Sequence, residues 1–191
     1  MMEAVRNGAW AKSGGWTPEV NAYLNLGYKI DFNFGTHVID QNTRFLFDGK
    51  LFNQTTDYPT LFGCDSLMFG ASAWNMLTGN NYVYRNGVRW NSGINISSRQ
   101  EIEIGEKVFV DGAEIHAFGS QIFSSQEEIK LHNTTNLLSR CWHFAMYNGK
   151  DPVLDVYPFN DGGVVCFKDI NTGVVYNALE GSNVSYGVSA T

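Results

Sequence analysis

Two dipeptides, Asn86-Gly87 and Asp111-Gly112, constrain the fold of this chain more than any other feature. Each lies between short runs in which apolar and polar residues alternate, NYVYRNGVRWN and KVFVDGAEIHAF. A two-residue connection between antiparallel strands needs positive φ at both central positions, and Asn-Gly and Asp-Gly accept it at low cost. Both stretches are therefore expected to be hairpins. CWHFAMYNGKDPVLDVY predicts a third, with a looser Asn148–Asp151 connection. AYLNLGYKIDF and TRFLFDGKLF alternate in the same way, broken at Gly27 and at Asp48-Gly49. No stretch has a persuasive helical period, and SQEEIKLH is read as a strand. Turn signals recur every 8–12 residues or so, the spacing of sandwiches and barrels. The expected fold class is all-β, a two-sheet antiparallel sandwich.

Faces follow from the two-residue period. In CWHFAMY, Trp142, Phe144 and Met146 share one side, expected to be core, and Leu154 and Val156 on the next strand should pack against it. In the Asn86-Gly87 hairpin, Tyr82 and Asn91, and Tyr84 and Arg89, should line one face. Tyrosines with Arg and Asn can stack a sugar ring and bond its hydroxyls, so these four residues are a candidate ligand surface. The plainer reading is a sheet surface that uses tyrosine for its strand preference. The opposite face, Val83, Arg85, Val88 and Trp90, is expected to turn inward with Arg85 at the rim.

The 191 residues suffice for one domain with a full core, and a net charge of −6 without any basic run argues against nucleic acid. No apolar stretch is long enough to span a bilayer. The three cysteines, Cys64, Cys141 and Cys166, are odd in number and without a CxxC pattern. They read as buried thiols of a chain made in a reducing compartment. Residues 1–19 are small, polar and glycine-punctuated, with Val5, Trp10 and Trp16 as isolated apolar anchors. They are expected to form an attachment or oligomerisation arm before a domain at 20–191.

The stretch EIEIGE, residues 101–106, comes closest to catalysis, because its spacing resembles the E-x-D-x-x-E pattern of laminarinase-like glycoside hydrolases. Retaining glycosidases need two carboxylates about 5–5.5 Å apart. Glu101 and Glu106 point to opposite faces of a regular strand, so they converge only across a bulge at Gly105. The simpler expectation is a type II′ turn at Gly105-Glu106, flanked by Ile104 and Lys107. Glu101 and Glu103 then form the wet side of an edge-like hairpin. The four histidines show no zinc spacing, His116 reads as a solvated partner of Glu114, and no cofactor or metal is expected.

The last third of the chain resembles the closing strands of laminin G-like, concanavalin A-type jelly-roll domains, in the version common in bacteriophages of gut bacteria. The matching pieces are Tyr147-Asn148-Gly149, Leu154-Asp155-Val156-Tyr157-Pro158, Asp161-Gly162, Lys168-Asp169, and Thr172-Gly173 through Tyr176-Asn177. Upstream, AYLNLGYKI, NTRFLFDGKLF and TLFG resemble the opening strands, so the likeness spans about residues 20–190. Pro158 is expected to end its strand. The resemblance implies a non-enzymatic virion protein: a capsid decoration, head fibre or tail fibre component, made in a bacterial cytoplasm and displayed on the virion surface. Its partners would be other capsid or fibre proteins and copies of itself, with a trimer first among the oligomers. A carbohydrate-binding module or adhesin is the alternative, and a glycosidase using Glu101 and Glu106 the second alternative.

Overall fold

The computed structural model describes residues 16–27, 32–54, 60–64, 69–75, 80–94, 97–131 and 137–190. Val5 and Trp10 lie outside them. In chain order the strands are β1 (Ala22–Leu26), β2 (Phe32–Asp40), β3 (Thr43–Gln54), β4 (Thr60–Cys64), β5 (Phe69–Asn75), β6 (Asn80–Arg85), β7 (Val88–Asn91) and β8 (Gln100–Ile104). There follow β9 (Lys107–Val110), β10 (Ala113–Ala117), β11 (Ser124–Leu131), β12 (Leu137–Asn148), β13 (Asp151–Asp161), β14 (Val164–Asp169), β15 (Val175–Asn177) and β16 (Ser185–Val188). They form two antiparallel sheets packed as a jelly-roll-like sandwich. The larger runs β10-β9-β8-β3-β12-β13-β14-β15, with β1 beside β12 and β16 beside β1; the smaller runs β2-β11-β4-β5-β6-β7.

The turn residues act as their chemistry requires. Asn86 and Gly87 have φ of 48° and 72°, Asp111 and Gly112 of 50° and 80°. Arg85 opposes Val88 and Val110 opposes Ala113, so each hairpin closes on two residues. Between the sheets the core is aromatic. Phe144 lies 5.2 Å from Phe34 and 5.7 Å from Phe62, and Phe167 lies 4.8 Å from Phe32, ring centre to ring centre. Leu154 and Val156 are fully buried beside them. Rings at these distances add to the burial of their own area. All three cysteines are buried free thiols.

Several expectations change where a strand carries one extra residue. The register of β12 against β3 slips between Cys141 and His143. Cys141 therefore takes the core position, with Phe144 and Met146 after it. Trp142 is not in that core; it joins His143 on the outer face, since a bulge sets two residues against one. Gly49, opposite Cys141, permits this local geometry. A Cβ there would come within 2.1 Å of the Phe47 ring and 2.8 Å of the Arg140 carbonyl oxygen. A second slip, between Glu114 and His116, separates that pair. Glu114 bonds Lys107, and His116 stacks on Trp90 at 4.1 Å.

The EIEIGE segment is a hairpin arm, but not an edge. β8 lies between β3 and β9, and Glu103 is buried against Arg44 at 2.7 Å. Ile104 pairs with Val108 rather than Lys107, and Gly105 does not adopt the positive φ of a type II′ turn. Its lack of a side chain serves the crossing of Arg44, whose Cγ would lie 2.9 Å from an added Cβ. Arg85 is not at the rim but 1% exposed, with Nη1 donating to the carbonyl of Gly119 (3.2 Å) and Nη2 to that of Gln41 (3.1 Å). Desolvation lowers its pKa, against the opposing pull of Glu106. Val88, expected inside, is 45% exposed. Pro158 lies within β13 instead of ending it, opposite Phe167. Beyond Val156 that strand is bonded to β14 while β12 has turned to β1, so a missing N–H is accommodated.

Candidate functional site

The long strand β12 changes partners halfway. Residues Phe144–Asn148 pair with β13, whereas Ser139–Cys141 pair with β1. The bulged residues Trp142 and His143 fall at the changeover, where β1 and β13 part and the outer face of the large sheet opens. A cleft of about 470 Å³ lies there. Its floor is Trp142, His143 and Tyr157, one wall is Asp48 with Arg99 to Glu101, and the other is the segment Thr17–Ala22.

The floor is held from beneath. His143 Nε2 lies 2.7 Å from Asp155 Oδ1, both side chains only 7% exposed. The imidazole stacks on Tyr157 at 4.2 Å and 9°. The Asp155 N–H donates to Asp169 Oδ2 (2.9 Å), while Asp169 Oδ1 accepts the N–H groups of Asn171 and Thr172. Burial, then the charge of Asp155, pushes the Tyr157 phenol well above its ordinary pKa. Tyr157 is thus a neutral hydroxyl on a fixed ring.

The wall is equally constrained. Arg99 grips both oxygens of Asp48, at 2.8 and 2.5 Å, and lies 4.6 Å over the Trp142 ring. A fork of this kind is directional as well as strong. Desolvation opposes the Arg99 charge, but the hydrogen bond and charge of Asp48 outweigh it and raise the pKa. Asp111 accepts the Glu101 N–H on Oδ1 (3.0 Å) and donates its own N–H to the Glu101 carbonyl (2.8 Å). Among the described residues, Trp142 Nε1 and Gln100 Oε1 are buried without a hydrogen-bond partner. Such groups are rare in folded chains and cost free energy where they occur. Next to the Thr17–Ala22 wall, outside the cleft, Trp16 meets Phe159 edge-on at 5.4 Å with Lys168 above its ring, and Glu19 bonds the Tyr186 hydroxyl. The described end of the N-terminal arm is therefore packed on its own sandwich.

Of the candidate catalytic and ligand-binding residues drawn from sequence, Glu101 alone lines this cleft among the described residues, where it joins Trp142, expected in the core, and Asp111 of a predicted turn. Glu106 stands exposed beyond the far end of β8, where it accepts from Ser120 Oγ at 3.0 Å. Three strand steps to Ile104, roughly 10 Å, and then the turn lie between them, and the Glu101 and Glu106 carbonyls accept from Asp111 and Phe118 at opposite ends of β10, so they do not form a carboxylate pair. Tyr82, Tyr84, Arg89 and Asn91 do share a face in the expected register. Arg89 lies 4.6 Å over the Tyr82 ring, which is itself 9% exposed, and Tyr84 is half-buried. Those rings are largely covered by their own chain. The sequence reading missed Asp48, Arg99, His143 and Tyr157 as a group. One signal was available: Asp155 is a carboxylate between two core residues, and His143 lies on the equivalent non-core face of the preceding strand.

Comparison with family models, with curated proteins and with solved structures finds no match for the chain.

Proposed function

We propose that this chain is a non-enzymatic display protein of a virion surface, a fibre or decoration component, that binds a glycan in the cleft between β1, β12 and β13. The observation that carries the binding role is the cleft floor. It sets the half-buried Tyr157 ring beside Trp142, itself 7% exposed under Arg99, and interleaves them with polar groups held in place by buried partners. Sites for small ligands combine apolar surface with a few fixed polar groups in this way, at volumes of roughly 300–1,000 Å³. Sugar rings suit them, since one face stacks on an aromatic ring while the hydroxyls find acceptors and donors. The separation of Glu101 from Glu106 supports binding over hydrolysis. The virion placement rests on the jelly-roll resemblance of the strands.

A glycan-array screen followed by titration calorimetry tests the binding role. Tyr157→Ala should abolish binding that Tyr84→Ala leaves intact. The reverse would move the site to the β6–β7 hairpin. The assembly role is tested by solution mass, full-length beside a chain starting at Val20. A trimer that becomes monomeric on truncation supports it, and a monomer in both cases opposes assembly through residues 1–19.

A further inference from the structure

Across Trp142 from the cleft, the same sheet face carries a pair of charges that the fold does not require. Lys50 of β3 and Arg140 of β12 are direct cross-strand partners. Like charges in that position destabilise a strand pair. Nearby cations are neutralised: Arg44 by Glu103, Arg99 by Asp48, Lys107 by Glu114. Among the described residues Lys50 and Arg140 meet no carboxylate, and the Arg140 Nε–H goes to the neutral Asn25 Oδ1 at 3.0 Å. Aromatic rings surround the pair. The Arg140 guanidinium lies 3.8 Å from the centre of Tyr23, 5.0 Å from Phe52 and 5.6 Å from Trp142, and Lys50 Nζ lies 5.0 Å from Phe52. Phe52 is 47% exposed. Two uncompensated cations among rings, one of them open to solvent, form a receptor for an anion attached to a stackable group.

We infer that Lys50 and Arg140 are the anion subsite of the glycan site and bind the carboxylate of an acidic sugar. The inference rests on the glycan reading of the cleft. It also orients the ligand. The cleft side of Trp142 carries Asp48, Glu101 and Asp111 against Arg99, so it repels a carboxylate, while the Lys50–Arg140 side attracts one. A ligand lying across Trp142 therefore places its acid over Arg140 and its uncharged rings over Tyr157.

The test is titration calorimetry with oligogalacturonate and sialyl-lactose, each beside its carboxyl-reduced neutral form, and with polyglutamate. Wild type is compared with Lys50→Gln, Arg140→Gln and the distant Arg89→Gln. At least one acidic sugar should bind about tenfold tighter than its reduced form at low salt, an advantage that shrinks as salt rises. Lys50→Gln and Arg140→Gln should erase that advantage, and Arg89→Gln should not. Lys50→Gln should melt no lower than wild type, because it relieves a repulsion and leaves the Asn25 bond alone. If acidic and reduced sugars bind alike, the inference falls and the glycan reading stands. Polyglutamate binding as tightly as the acidic sugars would make the site one for charge alone and overturn the inference. Binding of none of these probes would overturn both.

Discussion

Replacing Asp155 gives a quantitative test of how the cleft floor is held. The carboxylate is 5% exposed and accepts from an imidazole that is equally buried. Asp155→Ala removes a charge-assisted bond, with a net contribution of about 1.5–3 kcal/mol, and leaves a buried ring N–H unsatisfied, at about 1–3 kcal/mol. The two overlap, so the expected loss is about 2–4 kcal/mol. The Asp169 bond survives, because it uses the backbone N–H of residue 155. Asp155→Asn keeps an oxygen at nearly the same place and should cost about 1 kcal/mol. Urea unfolding read by tryptophan fluorescence measures both, and for a chain of this length each kcal/mol moves Tm by roughly 2–4 °C. Glycan affinity should follow the same order, since His143 and Tyr157 are stacked. An alanine cost below about 1 kcal/mol would refute this account of the floor. Asparagine as costly as alanine would show that the charge, not the acceptor, holds the ring.

Three further outcomes follow from the packing. Gly49→Ala drives a methyl into the Phe47 ring and the Arg140 carbonyl, and should destabilise by at least the roughly 1–3 kcal/mol of core overpacking, measured by the same unfolding curves. Arg85→Ala removes a guanidinium that ties β6 to the connections before β3 and before β11; it should cost about 1.5–3 kcal/mol, the range for hydrogen bonds to a charged group, and raise protease sensitivity near Gly119. Tyr157 bears on alkaline stability. Its folded pKa lies above the unfolded value near 10, so the unfolded chain releases its proton first and stability falls as pH rises above about 10. Tyr157→Phe should flatten that fall, and an unchanged slope between pH 10 and 11.5 would contradict the burial of the phenol.

The parts of the fold legible in the sequence are those fixed by one or two residues. Asn86-Gly87 and Asp111-Gly112 announced their hairpins because positive φ at both positions leaves little other choice; the first turn set the register of its strands, and the second did so only up to the slip between Glu114 and His116. SQEEIKLH is ambiguous in the sequence and reads as a strand; the structure forms β11 there, with Ile129 and Leu131 buried on one face. The cleft was not legible, since it depends on relations between distant segments. Trp142 alternates correctly with Phe144 for a core position, and only the extra residue between Cys141 and His143, opposite Gly49, turns it outward. Glu103 reads as a surface residue until β3 is set beside β8 and brings Arg44 to it. The parting of β1 from β13, whose nearest ends, Leu26 and Asp151, are 125 residues apart in the chain, leaves no local trace, because long-range pairing is chosen by the whole sheet.

The central claim is that ligands bind at the β12 changeover, and amide NMR of the intact protein titrated with a glycan selected by the array tests it most directly. The account predicts shifts at Asp48, Arg99, Glu101, Trp142 and Tyr157, including the Trp142 indole N–H. Shifts confined to Tyr82, Tyr84, Arg89 and Asn91 would contradict it.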